Sequence, residues 1–141
     1  MSGSRHFEGL IDSGALRHRL SALVADGADG GNPAIRAKVL TILKEERLRT
    51  RVEVQRRLLA DRRGVLCAER LSHVQDELIR VIYDFAVAHV YPVKNPSSAE
   101  RIAVAAVGGY GRATLAPGSD IDLLFLLPYK QTPWGESVVE Y

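Results

Sequence analysis

Ten residues, 110 to 119, separate the glycine pair Gly108-Gly109 from Asp120, and that number rules out most ways of joining what flanks it. Before the glycines runs the apolar string RIAVAAV (residues 101–107); beginning just after Asp120 runs IDLLFLL (residues 121–127). Short continuous apolar runs bounded by Gly and Pro are the pattern of strands covered on both faces. A parallel crossover needs about a dozen residues or more, usually with a helix. Ten are too few, so the spacing predicts an antiparallel pair. The glycines and the acidic residues then share one end of a sheet.

Successive side chains alternate along a strand, so Asp120 and Asp122 are expected to point the same way, roughly 7 Å apart, with Ile121 and Leu123 on the other side. Two ionised carboxylates held close repel unless a cation sits between them. Hard oxygen ligands at this spacing suit Mg²⁺, which binds one or two carboxylates and completes its shell with water and phosphate oxygens. A pair of such ions polarises the attacking and leaving oxygens of an in-line phosphoryl displacement. Gly108 and Gly109 let backbone N–H groups approach a phosphate with no Cβ in the way. Arg112 offers a planar fork to phosphate oxygens. Ser119 either hydrogen-bonds phosphate or fixes the entry to the strand. Each piece alone has a plainer reading, since Gly-Gly-Tyr-Gly is often a turn and Ser-Asp often caps one. Asp122 tips the balance, because a carboxylate inside a doubly covered strand is costly without a metal or partner. Together these residues describe a site for a Mg-nucleoside triphosphate.

The remainder of the chain, residues 1–92, reads as helices. Ser13 is the expected cap of a first helix carrying Leu16, Leu20, Leu23 and Val24. DGADGGN (residues 26–32) breaks it, and Pro33 opens a second helix. That helix has Ile35, Val39, Ile42 and Leu43, then Leu48, Val52, Leu58 and Leu59; the interruption near residues 45–51 predicts a bend or two helices. Gly64 separates it from a third, with Leu71, Val74, Leu78, Val81, Ile82 and Phe85 on one face, closed by Tyr91-Pro92. VKNPSSAE (residues 93–100) is a polar linker. Thr132-Pro133 starts a last helix. The expected class is α+β, with about three helices in residues 1–92 followed by the start of a sheet domain in residues 93–141. A two-stranded sheet is not stable alone. The reading therefore expects the N-terminal part of a longer protein, or helices that cover the sheet unusually well.

Composition narrows the function classes. The net charge of +2 argues for neither nucleic acid nor membrane, although residues 36–63 hold ten basic and four acidic side chains. Interleaved charges of this kind usually form a solvated, ion-paired face, with contact to an acidic partner through Lys44, Arg49 and Arg51 as the alternative. Cys67 is the only cysteine, which excludes an internal disulfide; it reads as a small buried hydrophobe. The opening residues lack the layout of a secretory signal, and no apolar run reaches membrane-spanning length, so the expected compartment is the cytoplasm. His73, Asp76 and Glu77 have metal-ligand spacing on a helix, but an exposed polar face is the ordinary reading. Asp26 and Asp29 lack the alternating ligands of a calcium loop. Tyr110 and Trp134 either pack under the sheet or touch a base or a protein substrate.

A glycine pair, about ten residues, then Asp-x-Asp among apolar residues resembles the signature of the DNA polymerase β-like nucleotidyltransferase superfamily. The longer string GGYGRATLAPGSDIDLLFL, with DELIRVIYDFAVAHVYP before it and PYKQTPWGESVVEY after it, resembles the N-terminal part of the bacterial PII uridylyltransferase/uridylyl-removing family. The resemblance implies that residues 93–141 begin a nucleotidyltransferase domain. It implies that Gly108 and Gly109 lie at the triphosphate, and that Asp120 and Asp122 bind Mg²⁺, two ions in a complete domain. It further implies transfer of UMP from UTP to a tyrosine of the PII signalling protein with release of pyrophosphate, uridylyl removal by another domain, and glutamine as effector. Two departures stand out. Ala113-Thr114 replaces the family's common Gly-Glu, and the superfamily's third carboxylate has no good counterpart, Glu136 and Glu140 being on a nascent helix. The 141 residues alone are thus expected to be inactive. A glutamine synthetase adenylyltransferase and a non-catalytic helical module that docks or senses nucleotide are the alternatives.

Overall fold

The computed structural model of the chain describes residues 6–128 and 130–141; the first five residues of the opening stretch lie outside it. Three helices, α1 (Ser13–Ala22), α2 (Pro33–Asp61) and α3 (Gly64–Phe85), precede a two-stranded sheet, β1 (Ala103–Ala106) and β2 (Leu123–Leu126). A single-turn helix, α4 (Gly108–Gly111), follows β1, and α5 (Pro133–Glu140) follows β2. The class is α+β, as expected.

Local chemistry sets the helix ends. Asp12, not Ser13, caps α1, its Oδ1 accepting from Ala15 N–H at 2.8 Å. Either side chain suits an N-cap; the carboxylate sits one residue earlier and takes the role. Asn32 caps α2 with Pro33 in its first turn, and Arg62 ends it in the left-handed conformation, φ 55°. The apolar faces of the three helices meet in one core, with Leu10, Leu16, Leu20, Val39, Val54, Cys67, Val74, Leu78, Val81 and Phe85 buried. Cys67 is buried as expected, and burial pushes its thiol above the usual ionisation range.

Two expectations fail. The second helix neither bends nor divides; α2 is continuous over 29 residues. The change of phase that predicted a break instead swings Leu48, Val52 and Leu59 to solvent, 65%, 58% and 71% exposed. Nor are the strands covered on both faces. Leu124 and Leu126 are about half exposed, whereas Leu123 and Phe125 are partly buried. The inner face, with Val104, Ala106 and Leu123, looks across a cleft at Asp76, Ile79 and Tyr83 of α3. Both strand faces are apolar in sequence, so composition hid an alternation that the structure makes plain.

The strands pair antiparallel, as the ten-residue spacing required, with Ala103 opposite Leu126 and Ala106 opposite Leu123. Val107 N–H donates to the Asp122 carbonyl at 3.1 Å, carrying the ladder one pair further. α5 is capped by Thr132, whose Oγ1 accepts from Gly135 N–H. Trp134 packs beside it and donates its indole N–H to the Tyr91 carbonyl at 2.8 Å, so its polar edge is used within the chain.

Candidate functional site

The end of the sheet gathers the residues that the spacing singled out. Gly108, directly after β1 and its one-pair extension, has φ +63°, a conformation L side chains rarely adopt. A Cβ there would stand 2.9 Å from Asp122 Oδ2. Glycine is thus required twice, by the backbone and by the carboxylate lying against it. Gly109 follows in α4, where the first-turn N–H groups have no intrahelical acceptor. Its carbonyl accepts from the backbone N–H groups of Arg112 and Thr114, at 3.2 and 3.0 Å, and from Thr114 Oγ1 at 3.1 Å. At Gly111 a Cβ would come within 2.5 Å of the Ala106 carbonyl oxygen, so the turn closes tightly over β1.

Asp120 and Asp122 are both exposed, and Ile121 between them is half-buried. Asp122 is therefore not the doubly covered carboxylate the sequence implied. It lies on the outward side of the sheet, where hydration offsets its charge. Among the described residues neither carboxylate has an ion-pair partner, and Arg112, exposed beside the loop, has none either. Ser119 folds back on its own turn. Its Oγ and its N–H both donate to the Ala116 carbonyl, at 2.9 and 3.1 Å, with Gly118 at φ +81° completing the bend.

The acidic pair fits a hard divalent cation in donor chemistry: carboxylate oxygens, water-accessible, unneutralised by nearby cations. It does not make a closed metal cage, since no group of three or more His, Cys, Asp or Glu able to hold a metal occurs among the described residues. The second metal-like pattern dissolves. His73 stacks on Phe7 with ring centroids 4.7 Å apart, Glu77 pairs with Arg80, and Asp76 serves elsewhere.

Asp76, which the spacing placed on an exposed polar face, is instead half-buried against the glycine turn. Tyr110, buried, donates its hydroxyl to Asp76 Oδ1 at 2.6 Å. Burial, and then the carboxylate, push that phenol's ionisation well above its ordinary value. One turn earlier on α3, buried Ser72 accepts from Leu115 N–H at 3.1 Å. The glycine turn is thus fastened to the helical core at both its start and its finish. The signal was available: Ser72, Asp76, Ile79 and Tyr83 recur at helical spacing beside the main apolar face of α3. Tyr110 accordingly packs under the sheet rather than reaching outward. On the far side of the turn, residues 116–119 and Ile121 form a cleft with Arg47, Thr50 and Arg51 of α2 and Gln75 of α3.

No protein-family model matches the chain. No solved structure matches it either. Among curated proteins it is 53% identical over 130 residues to a bifunctional uridylyltransferase/uridylyl-removing enzyme of Bradyrhizobium sp. strain BTAi1. It is 51% identical over 130 residues to the protein of the same name from Bradyrhizobium diazoefficiens. Each alignment takes in 92% of this chain but only 14% of the relative, so the chain spans about one seventh of the length of the proteins it matches. Over nearly its whole length, then, the chain is similar to one part of the bifunctional uridylyltransferase/uridylyl-removing enzymes.

Proposed function

We propose that the chain supplies the metal and triphosphate end of a Mg²⁺-dependent nucleotidyltransferase. In the whole protein that enzyme transfers UMP from UTP to a tyrosine of the PII signalling protein and releases pyrophosphate. The observation that carries this reading is the packing of Gly108 against Asp122, a positive-φ glycine whose missing Cβ leaves room for an acidic side chain. A turn selected only to reverse the chain needs no such juxtaposition. The names of the two Bradyrhizobium relatives support the uridylyl branch over adenylyl transfer.

In this reading Asp120 and Asp122 hold the metal, which supplies positive charge to the triphosphate and lowers the pKa of the acceptor hydroxyl. The chain's own groups do the rest. The N–H groups of Gly108 and Gly109 bind phosphate oxygens, the backbone coming close because no Cβ intervenes. Arg112, free of ion-pair partners among the described residues, pairs with the same anion. Ser119 holds the turn that delivers Asp120, and Tyr110 with Ser72 fixes the glycine turn in place. No histidine is needed as a base.

The test is UMP transfer to PII by the full-length protein, followed as pyrophosphate release. Asp120→Asn and Asp122→Asn are each expected to lower kcat/KM by about 10²-fold or more, the usual cost of losing a major electrostatic stabiliser. Rates within twofold of wild type would overturn the proposal. Replacing UTP by ATP in the same assay separates the branches, and faster turnover with ATP would assign the site to adenylyl transfer.

A further inference from the structure

We infer that the outward face of α2 is the docking surface for the protein that accepts the nucleotidyl group, through an acidic surface carrying apolar side chains. The inference rests on the reading of the site given above and adds to it where the protein substrate sits.

Leu48, Val52 and Leu59 lie along one stripe of α2, opposite the face that Val39, Glu46, Thr50 and Val54 bury. Three aliphatic side chains in register on solvent are unlike the scattered apolar residues of an ordinary surface. The charges beside the stripe divide into two sets. Arg49, Arg56 and Arg57 are committed to Glu46 and Glu53 at 2.5–2.7 Å. Arg47 and Arg51, one turn apart and exposed, have no ion-pair partner among the described residues. These two flank the stripe on the side facing the catalytic end, and they line the cleft shared with residues 116–119, the turn that leads into Asp120. Apolar anchors and uncommitted cations therefore adjoin the turn that delivers Asp120 to the end of the sheet. The segment from residue 36 to 63 carries a charge of +6 while the rest of the chain carries −4, which sets the sign of the complementary partner as negative. A nucleic acid would use the cations and leave the aliphatic stripe idle; an acidic protein surface uses both.

The experiment measures UMP transfer at varied PII concentration, with Mg-UTP binding in parallel, for the full-length wild type and two variants. One is Arg47→Glu with Arg51→Glu; the other is Leu48→Ser with Val52→Ser and Leu59→Ser. All five positions are exposed, so folding is expected to survive in both variants. The expected result is a rise in KM for PII of about tenfold or more in both variants, with kcat at saturating PII and the affinity for Mg-UTP unchanged. Wild-type KM should also climb with salt more steeply than that of the arginine variant. An unchanged KM for PII in either variant overturns the docking surface while leaving the site intact. So does a change in sedimentation showing that the face instead joins two copies of the protein. Loss of Mg-UTP binding and of transfer in the wild type would instead refute the reading of the site itself.

Discussion

Gly108 and Ala113 both hold positive φ, +63° and 56°, one with a side chain and one without. A residue other than glycine pays about 1–2 kcal/mol in that region. Gly108→Ala adds a clash with the Asp122 carboxylate to that cost. The variant should lose about 2 kcal/mol or more in chemical denaturation and, unlike an ordinary destabilised surface mutant, should also lose UMP transfer at temperatures where it remains folded. Ala113 presents the reverse case. It occupies a position where the resembled family commonly has glycine, and Ala113→Gly should raise stability by up to about 1 kcal/mol with activity retained. The spacing of glycines and aspartates was legible in the chain. The positive φ of Ala113 was not, since alanine announces no such geometry; only its departure from the resembled pattern marked the position.

Among the elements, α3 has a second task besides its place in the core. Its Ser72 and Asp76 hold the turn between β1 and β2 through Leu115 and Tyr110. Asp76→Ala strands a buried phenol without its acceptor, and a loss of about 1–3 kcal/mol is expected in denaturant unfolding. Tyr110→Phe, which removes the donor and keeps the ring, should cost less and mainly weaken nucleotide binding. Periodicity found the core stripe of α3 readily, because it is apolar. The adjacent stripe is half polar, so the same rule passed over it. In α2 the rule erred differently, since a helix can carry apolar residues in two phases without breaking when one phase faces outward. The ion pairs of α2 yield a pH prediction. Arg56 and Arg57 hold the Glu53 carboxyl down to about 2 from its ordinary 4.5. A group depressed in the folded state stabilises above its unfolded pKa and loses that contribution as pH falls through the folded one. Thermal melts should therefore show a loss of stability between about pH 4.5 and pH 2 that is reduced in Glu53→Gln.

At the scale of the whole molecule, helices and sheet are joined at the glycine turn as well as through Trp134 and Tyr91. The same α3 that closes the three-helix core also anchors the glycine turn, so the position of the acidic pair depends on helices some forty residues earlier in the chain. Antiparallel pairing and the gathering of glycines and acids at one sheet end followed from spacing alone. Which strand face meets solvent did not, because both are apolar and only packing against α3 distinguishes them. The central claim is that Asp120 and Asp122, the second set against Gly108, hold a divalent cation together with the tail of a nucleotide. Titration of UTP into the full-length protein with and without Mg²⁺, wild type against Asp122→Ala, tests it most directly. Wild type is expected to bind UTP at least about tenfold more tightly with Mg²⁺ present, and Asp122→Ala to lose that enhancement. Equal affinities in the two proteins, or a wild-type affinity indifferent to Mg²⁺, would contradict it.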